Sequence, residues 1–329
     1  MNDRNDIKHK ILMQVKNDLE EIEVALQQNL NPYLDLVSQI AGHILFSGGK
    51  RLRPLLMVLS ARICGYDGDY DKIFSTIFEY LHAATLLHDD LVDEATLRRG
   101  KPVANSIWGN AAAVLVGDFL LARSLAIAAE TKQPDVIKVV SGITENMSQG
   151  EIHQLMRKGS LDLTEAEYME IIKRKTAVLF QGTCRAGALI ADVSPIKETA
   201  LSDYGFNLGI AFQMVDDLLD YTLDTATLGK EVGADLKEGK LTLPVIYALK
   251  SADEKDRTHM ENIIKNKNFS VNDFKTLIRM IDKYGGQLHT QNLATEYVQN
   301  AKEALAIFQN SKTKEVLLMI ADYTLSRNF

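Results

Sequence analysis

Two short acidic clusters in the sequence share the spacing Asp-Asp-x-x-Asp. In a helix, residues four apart lie on the same face, so the outer carboxylates of each cluster point in one direction and repel one another. Hard divalent cations such as Mg²⁺ prefer oxygen ligands and commonly link a few carboxylates to phosphate groups. The clusters therefore predict a site for metal ions and a diphosphate. Their members, all predicted to be catalytic, are Asp89, Asp90, Asp93, Asp216, Asp217 and Asp220.

The surroundings of the clusters favour a functional interpretation. A single cluster of this type is more often a solvated helix face than a metal site. Here Leu86 and Leu87 precede the first cluster, and Met214 and Val215 precede the second. Carboxylates embedded in apolar sequence are costly to bury without partners. Because one chain carries two such clusters, chance is a poor explanation for them.

Basic and polar residues near predicted loops and helix ends supply the complementary charge. Glycine lets backbone N–H groups approach an anion, and arginine makes forked contacts with phosphate oxygens. Singly, each of these residues is most often a solvated surface residue, but together they provide the mixture that two diphosphates and their metal ions need. His82 lies two helical turns before Asp89, on roughly the same face. The other candidates are Lys50, Arg53, Arg98, Arg99, Lys175, Thr176, Gln213, Lys230 and Lys240.

Composition narrows the class of protein. The chain has 329 residues and a net charge of -7, which gives no reason to expect a nucleic-acid partner. Cys64 and Cys184 do not form a metal-ligand spacing and indicate reduced thiols in a cytoplasmic protein. The polar N-terminal residues predict no secretory signal. The most apolar stretch, 111–129, is interrupted by Asp118 and Arg123, so no transmembrane segment is predicted.

Apolar residues recur at helical spacing along most of the chain. Thr164 with Glu167 predicts a helix start with a reciprocal cap, and Ser270 with Asp273 predicts another helix start. The predicted helices lie near 7–30, 33–46, 53–64, 70–92, 104–130, 135–157, 165–190 and 271–284, with another beginning at 195. The predicted loops and polar surface segments are 157–163, 224–240 and 251–269. The pattern predicts a single all-α domain over 1–329, with the two acidic clusters facing each other across a central cavity.

The ordered set of motifs resembles that of the trans-isoprenyl diphosphate synthases, the polyprenyl synthetase family. The resemblance extends over nearly the whole chain, and the motifs occur in the family's order. They are residues 48–54 (Gly-Gly-Lys-Arg-Leu-Arg-Pro), 87–93, 98–100, 117–120, 175–177, 212–220 and 239–244. No motif position departs from the family's pattern in a way that would suggest an inactive enzyme.

The resemblance implies an all-α fold around a deep cavity, a homodimer, and Mg²⁺-dependent condensation of an allylic diphosphate with isopentenyl diphosphate. The residues that it assigns to the metal ions are Asp89, Asp93, Asp216 and Asp220. Those that it assigns to isopentenyl diphosphate are Lys50, Arg53, His82 and Arg99. Those that it assigns to the allylic diphosphate are Arg98, Lys175, Thr176, Gln213, Lys230 and Lys240.

The growing product is expected to extend along the helix that carries Asp89, toward its N-terminus. One helical turn, about 5.4 Å, is close to the length of one extended isoprene unit. The first turn back offers the small residues Ala84 and Thr85, where short-chain members of the resembling family place a bulky aromatic residue. Leu81 and Phe78 follow deeper along the helix. The sequence therefore predicts a long-chain, octaprenyl-like product, with transient membrane contact during its release.

Several alternatives remain open at this point. A short-chain farnesyl or geranylgeranyl diphosphate synthase would carry the same motifs. A di-iron helix bundle needs Glu-x-x-His on two helices, and the sequence has one, from Glu79 to His82. A terpene cyclase has no need for Lys50 and Arg53. A non-catalytic subunit of a heteromeric synthase tends to lose one acidic cluster, and both clusters are intact here.

Overall fold

A computed structural model of the chain describes residues 2–98, 100–221, 233–266 and 268–326. These residues are almost entirely helical, which confirms the predicted all-α class. The composition explains this result, because six prolines in 329 residues leave long uninterrupted stretches of good helix formers.

The N-terminal part of the chain forms long helices and one small hairpin. Two-residue strands, β1 (Leu97–Arg98) and β2 (Lys101–Pro102), pair antiparallel just after the first acidic cluster. They are too short to produce an alternating pattern that could predict them. The helices are α1 (Asn2–Leu30), α2 (Asp35–Leu45), α3 (Leu52–Ile63), α4 (Asp71–Val92), α5 (Ala104–Trp108), α6 (Asn110–Glu130) and α7 (Pro134–Met156).

The C-terminal part continues in the same way. A single π-helical turn (Lys173–Ala177) joins two of its helices, and a 3₁₀ turn (Leu305–Ile307) precedes the last one. The helices are α8 (Glu165–Ile172), α9 (Val178–Ile190), α10 (Pro195–Leu219), α11 (Ala234–Lys237), α12 (Leu243–Ser251), α13 (Glu254–Lys265), α14 (Val271–Lys283), α15 (Gly286–Ala304) and α16 (Lys312–Ser326).

Two of the predicted helices are divided. The predicted helix 104–130 breaks at Gly109, whose φ of 84° belongs to the left-handed region that glycine tolerates best. The predicted helix 165–190 contains the π turn, which inserts an extra residue into the helical ladder without ending the helix. Apolar periodicity reports neither event, because the residues on both sides keep the helical spacing.

The helix starts follow local side-chain chemistry. Thr164 and Glu167 form the predicted reciprocal cap, and Ser270, where a helix start was predicted, forms one with Asp273 as well. The polar segment after α12, which was predicted to be surface, contains α13. Its start is capped by Asp253, whose side chain accepts a hydrogen bond from a backbone N–H of the first turn. A capped polar helix with a single buried stripe is easily mistaken for an irregular surface segment.

Close helix crossings organise the core. α10 packs against α9 and α15, and α4 packs against α3 and α6. Where α10 crosses α9, a Cβ atom on Gly205 would lie 2.4 Å from the carbonyl oxygen of Phe180. A Cβ atom on Gly209 would lie 2.7 Å from the Cα atom of Ala177. These glycines therefore set the distance between the helices that carry the π turn and the second acidic cluster.

Buried apolar side chains form two clusters that meet at α10. The larger cluster joins α1, α3, α4, α6 and α9 to one side of α10, where Leu208 is buried. The smaller one joins α8 and α12 to α14 to the other side, where Ile210 and Met214 are buried. α10 is thus held on both sides, which fixes the position of the aspartates at its end.

Within the described residues, one helix is long and apolar enough to cross a membrane by length and composition. This helix is α6, the stretch from which the sequence predicted no span. It packs against α4, and the core helix of a globular protein passes the same test, so the finding is weak evidence for a membrane span.

Candidate active site

Both acidic clusters line one cavity of about 910 Å³. The first cluster is carried by the last turn of α4 and by Asp93, the C-cap residue that follows it. The second is carried by the last turn of α10 and by its C-cap residue, Asp220. The predicted arrangement, in which two helices bring their carboxylates to one central cavity, is the one that the structure has.

The carboxylates of both clusters lie at helix C-termini, and this position makes a bound cation more favourable. The C-terminus of a helix carries a partial negative charge, and basic residues in the last turn normally compensate it. α4 and α10 are described over their whole length, and neither has a basic residue in its last turn. Each helix end instead adds carboxylates to the negative end of its dipole. This arrangement is unfavourable unless positive charge is supplied from elsewhere.

The donor atoms suit a hard divalent cation. Among the described residues, Asp90 Oδ2 and Asp93 Oδ1 are buried without a hydrogen-bond partner. In the same part of the chain, no three acidic, histidine or cysteine side chains converge on one point closely enough to hold an ion by themselves. Mg²⁺ usually takes one or two protein carboxylates and completes its octahedral shell with water and substrate phosphates. The carboxylates thus fit a metal that binds together with a diphosphate.

The cavity also alters the acidity of its carboxylates. Burial raises the pKa of Asp89 to about 6, and the negative charges of Glu151 and Asp93 add to that effect, while Lys175 opposes it. Burial likewise raises the pKa of Asp217 well above its ordinary value, and Asp235 raises it further. Both carboxylates are therefore harder to ionise than an aspartate in water, chiefly because they are buried.

Two basic residues cross-link the first cluster. Arg98 donates to Asp90 Oδ1 through Nε at 2.9 Å and through Nη2 at 2.7 Å. Lys240 Nζ donates to Asp93 Oδ2 at 2.7 Å, across 147 residues of sequence. Burial by itself lowers the pKa of Lys240, but the carboxylates of Asp93 and Glu238 raise it, so the ammonium stays charged. Of the two residues predicted to bind the allylic diphosphate, Lys240 therefore contacts the predicted metal ligand Asp93, and Arg98 contacts its neighbour Asp90 in the same cluster.

The π turn presents Lys175 and Thr176 to the cavity. Lys175 Nζ donates to Gln154 Oε1 at 2.8 Å and is ion-paired with Glu151, both on α7. This approach requires Gly150, because a Cβ atom there would lie 2.8 Å from the backbone nitrogen of Lys175. π turns inside helices frequently occur at functional sites, and this one redirects two predicted ligands.

A chain of hydrogen bonds supports the second cluster. Thr176 Oγ1 donates to Gln213 Oε1 at 2.8 Å, and Gln213 Nε2 donates to Asp217 Oδ1 at 2.8 Å. The hydroxyl of Tyr168 donates to the other oxygen of Asp217 at 2.5 Å. With both oxygens held, Asp217 has a fixed orientation at the cavity wall. The predicted residues Thr176 and Gln213 thus act as one unit with Asp217.

Three of the residues predicted for isopentenyl diphosphate lie at the same cavity. Lys50, Arg53 and His82 all line it. The guanidinium of Arg53 lies 4.9 Å from the ring centroid of Phe180, a cation–π contact that stabilises its position. Arg99 and Lys230, the two remaining predicted diphosphate ligands, lie outside the described residues, as does most of the predicted loop 224–240.

The four residues predicted to control product length occupy different positions. Thr85 lines the cavity. Ala84, Leu81 and Phe78 are buried in the larger apolar cluster, and none of them is among the described residues that line the cavity. Of the four predicted residues, Thr85, which lies one turn before Asp89, is therefore the one that can contact a product in the cavity.

The structure adds cavity residues that the sequence reasoning missed. Tyr168 and Met147 line the wall, and Arg157 and Lys158 lie in the segment predicted as a loop. Tyr168 precedes Lys175 by seven residues, a helical spacing that could have indicated it. The other three carry no local signal, because their place at the cavity depends on how α7 packs against α9 and on the course of the loop that follows α7.

Comparisons with known proteins agree with this geometry. A family model described as polyprenyl synthetase matches residues 34–281. The chain is 36% identical to the octaprenyl diphosphate synthase of Haemophilus influenzae over 314 residues, which are 95% of this chain and 94% of that protein. It is 37% identical to a short chain isoprenyl diphosphate synthase of Methanothermobacter thermautotrophicus over 290 residues, or 87% and 88% of the two chains.

A solved structure shows the same fold. It is a polyprenyl synthase from Caulobacter crescentus, complexed with calcium and isoprenyl diphosphate. The two structures superpose with a TM-score of 0.92 at 39% sequence identity, and the match covers 98% of each chain.

Proposed function

Because the chain belongs to the polyprenyl synthetase family and is therefore a prenyltransferase, we propose that it makes a long-chain polyprenyl diphosphate. The enzyme condenses an allylic diphosphate with successive molecules of isopentenyl diphosphate, and Mg²⁺ is the metal. The observation that carries this proposal is that both acidic clusters and the basic residues assigned to the two diphosphates line one cavity.

The basic residues divide the cavity into two diphosphate positions. Lys50, Arg53 and His82 bind isopentenyl diphosphate, and Lys175 and Lys240 bind the allylic diphosphate. Lys240 and Lys175 are paired with carboxylates in the ligand-free protein, so an incoming diphosphate and its cations exchange one set of ion pairs for another. Asp89, Asp93, Asp216 and Asp220 hold the metal.

The chemistry explains why these residue types are needed. The allylic C–O bond ionises, leaving diphosphate and an allylic cation. Bound Mg²⁺ supplies Lewis-acid stabilisation of the departing diphosphate, where negative charge grows in the transition state. Lys175 and Lys240 add fixed positive charge at the same place. The apolar wall keeps water from the cation. The double bond of isopentenyl diphosphate then attacks the cation, and the new cation loses a proton to the departing diphosphate, which leaves a double bond in the lengthened chain.

The proposal of a long product rests on the cavity beside α4. Of the residues predicted to control product length, the small Thr85 lines the cavity, and Met147 lines it as well. Methionine is unbranched and flexible, so it can move aside for a growing apolar chain. The similarity to an octaprenyl diphosphate synthase points the same way, although a short-chain synthase is about equally similar in identity.

We also propose that the protein is a homodimer and that residues 1–329 form one domain. Buried residues of α10 belong to both apolar clusters, which supports one continuous domain. α6 and α7 pack together and leave large apolar side chains exposed, as a protein interface does. These side chains are Val114, Leu115 and Leu125 on α6 and Ile152, Leu155 and Met156 on α7.

A product assay tests the proposed function. The purified protein is incubated with farnesyl diphosphate, labelled isopentenyl diphosphate and Mg²⁺, and the product is sized by chromatography. We expect products longer than geranylgeranyl diphosphate, no turnover after chelation of the metal, and recovery when Mg²⁺ is restored. Termination at geranylgeranyl diphosphate would identify a short-chain synthase. Absence of turnover with every primer would identify a non-catalytic subunit.

A further inference from the structure

Arg51 differs from the cationic residues on either side of it. Lys50 and Arg53 line the cavity and are proposed to bind isopentenyl diphosphate. Arg51 borders the same cavity, yet only 6% of its surface is exposed. A buried guanidinium needs partners that compensate its charge, and those partners determine what the residue does.

The partners of Arg51 come from three helices. Its Nε donates to Glu23 Oε1 on α1 at 2.5 Å. Its Nη1 donates to Glu79 Oε1 on α4 at 2.9 Å. Its Nη2 donates to the carbonyl oxygen of Leu45, at the end of α2, at 2.7 Å and to Glu23 Oε2 at 3.2 Å. One side chain thus ties the segment before α3 to α1, α2 and α4.

These bonds occupy most of the hydrogen-bonding capacity of Arg51. A guanidinium has five N–H groups in a fixed planar fork. Four of them are used by the bonds to Glu23, Glu79 and Leu45. The side chain is therefore committed to protein partners and is not a free anion-binding group like a surface arginine.

The backbone of Arg51 also needs support. Its φ of 48° and ψ of 33° place it in the left-handed region immediately before α3. That conformation is uncommon for a residue with a side chain, and it persists where the surrounding contacts enforce it. The anchored side chain provides such contacts. The turn that they hold is the one from which Lys50 and Arg53 extend.

We propose that Arg51 is a positioning residue for the isopentenyl diphosphate site, with Glu23 as its essential partner. The pair holds the segment 48–53 in the conformation that presents Lys50 and Arg53 to the diphosphate. The inference rests on the proposed function only for the identity of that ligand. Glu23 is not among the described residues that line the cavity, so its influence on substrate must pass through Arg51.

Glu23→Gln is the primary test variant. The Glu23 side chain is 39% exposed, so the amide is tolerated, while the charge that fixes Arg51 is lost. Arg51→Lys is the second variant: it keeps the positive charge, but an ammonium cannot form the fork that reaches Glu23 and Glu79 together.

The matched control is Asp18→Asn. Asp18 on α1 pairs with Arg62 on α3, with Arg62 Nη1 at 2.9 Å from Asp18 Oδ2. The Glu23–Arg51 pair joins α1 to the residue just before α3, and the Asp18–Arg62 pair joins α1 to the other end of α3, far from the segment 48–53. A general loosening of α1 therefore affects both variants, whereas loss of the positioning role affects only Glu23→Gln.

Binding is measured by calorimetry with isopentenyl diphosphate alone, which cannot react without an allylic partner, and separately with the allylic diphosphate. For Glu23→Gln and Arg51→Lys, we expect the Kd for isopentenyl diphosphate to rise about tenfold, as for loss of one hydrogen bond between charged groups. The Kd for the allylic diphosphate should change less than about twofold by the same scale. Asp18→Asn should leave both constants unchanged. Equal weakening of both ligands, or no weakening, would overturn the inference.

Hydrogen exchange separates this inference from the proposed function. In the ligand-free protein, amides of the segment 48–53 should exchange faster in Glu23→Gln than in wild type or Asp18→Asn. If exchange increases as expected but wild type does not bind isopentenyl diphosphate, the proposed ligand is wrong and the anchoring role of Arg51 stands. Unchanged exchange in Glu23→Gln would refute the anchoring role, whatever the wild type binds.

Discussion

At the scale of single residues, the site concentrates negative charge where helices already place it. Asp89 and Asp216 lie in the last turns of α4 and α10, and the cavity raises the pKa of Asp89 by burial. In the ligand-free protein, Lys240 and Arg98 compensate part of this charge. A diphosphate bound with its metal ions would complete this compensation.

Removing one outer carboxylate should therefore abolish most of the activity. For Asp89→Ala or Asp216→Ala we expect kcat to fall by about a hundredfold or more, the effect of removing a group that stabilises developing charge. Steady-state kinetics at saturating substrate and Mg²⁺ measures it. Asp203→Asn, an exposed position on the same helix as Asp216, is the control and should behave as wild type. Near-normal turnover of either alanine variant would disprove the metal role.

The two diphosphate positions should respond to different substitutions. Arg53→Ala should raise the KM for isopentenyl diphosphate more than that for the allylic substrate, because Arg53, which lines the cavity together with Lys50, is proposed to bind isopentenyl diphosphate. Lys175→Ala should show the reverse preference, since its ammonium reaches the cavity from the π turn next to Asp89. Initial rates with each substrate varied in turn give both constants. The opposite ordering in both variants would mean that the two positions are interchanged.

At the scale of elements, small residues decide how closely the helices approach. Gly205 and Gly209 allow α10 to lie against the backbone of α9, and Gly150 allows α7 to lie against the π turn. The distances across the cavity depend on these crossings. Side chains at the cavity wall then set how far a bound molecule can extend.

A methyl group at the crossing of α9 and α10 should destabilise the fold. In Gly205→Ala the new Cβ would meet the carbonyl oxygen of Phe180, which cannot rotate away. We expect the free energy of unfolding to fall by about 2 kcal/mol. In Gly142→Ala on α7, where nothing lies within 4 Å, it should rise by up to about 1 kcal/mol from helix propensity. Denaturant titrations compare the two, and equal stabilities would contradict the predicted clash.

Product length should respond to a bulky residue at Thr85. A phenyl ring at position 85 would block the part of the cavity that lies one helical turn before Asp89. Because one turn, about 5.4 Å, is close to the length of one isoprene unit, Thr85→Phe should shorten the product to farnesyl or geranylgeranyl length. Thr85→Val keeps the side-chain volume and should leave the product unchanged. Chromatography of the products distinguishes the outcomes. If Thr85→Phe still makes the wild-type product, another wall of the cavity limits the chain.

At the scale of the whole molecule, α6 and α7 expose several large apolar side chains. Leu115 is 66% exposed on α6, a helix that is otherwise apolar along most of its length. Burying such a face against a second copy would remove it from water.

A charge on this face should dissociate the proposed dimer. Leu115→Asp would bury an unpaired carboxylate at the interface, and we expect monomers by analytical ultracentrifugation. Leu288→Asp is the matched control, because Leu288 on α15 is 60% exposed and lies outside α6 and α7. It should sediment as wild type. A Leu115→Asp variant that remains dimeric would place the interface elsewhere.

The sequence by itself determined the features that depend on neighbouring residues. Helical periodicity, the caps at Thr164 and Ser270, and the shared face of the outer aspartates follow from interactions within one or two turns. Ordered motifs then identified the family, and the predicted diphosphate and metal ligands that the structure describes all line the cavity. These predictions succeeded because short-range geometry in a helix is nearly independent of the rest of the molecule.

The tertiary structure decided everything that joins distant parts of the chain. Lys240 reaches Asp93, Tyr168 holds Asp217, and Arg51 ties three helices together. None of these pairs has a local signature, because each depends on helix crossings set by packing. The same packing buried Ala84, Leu81 and Phe78 and left Thr85 at the cavity, since a helix can show the cavity only one of its faces.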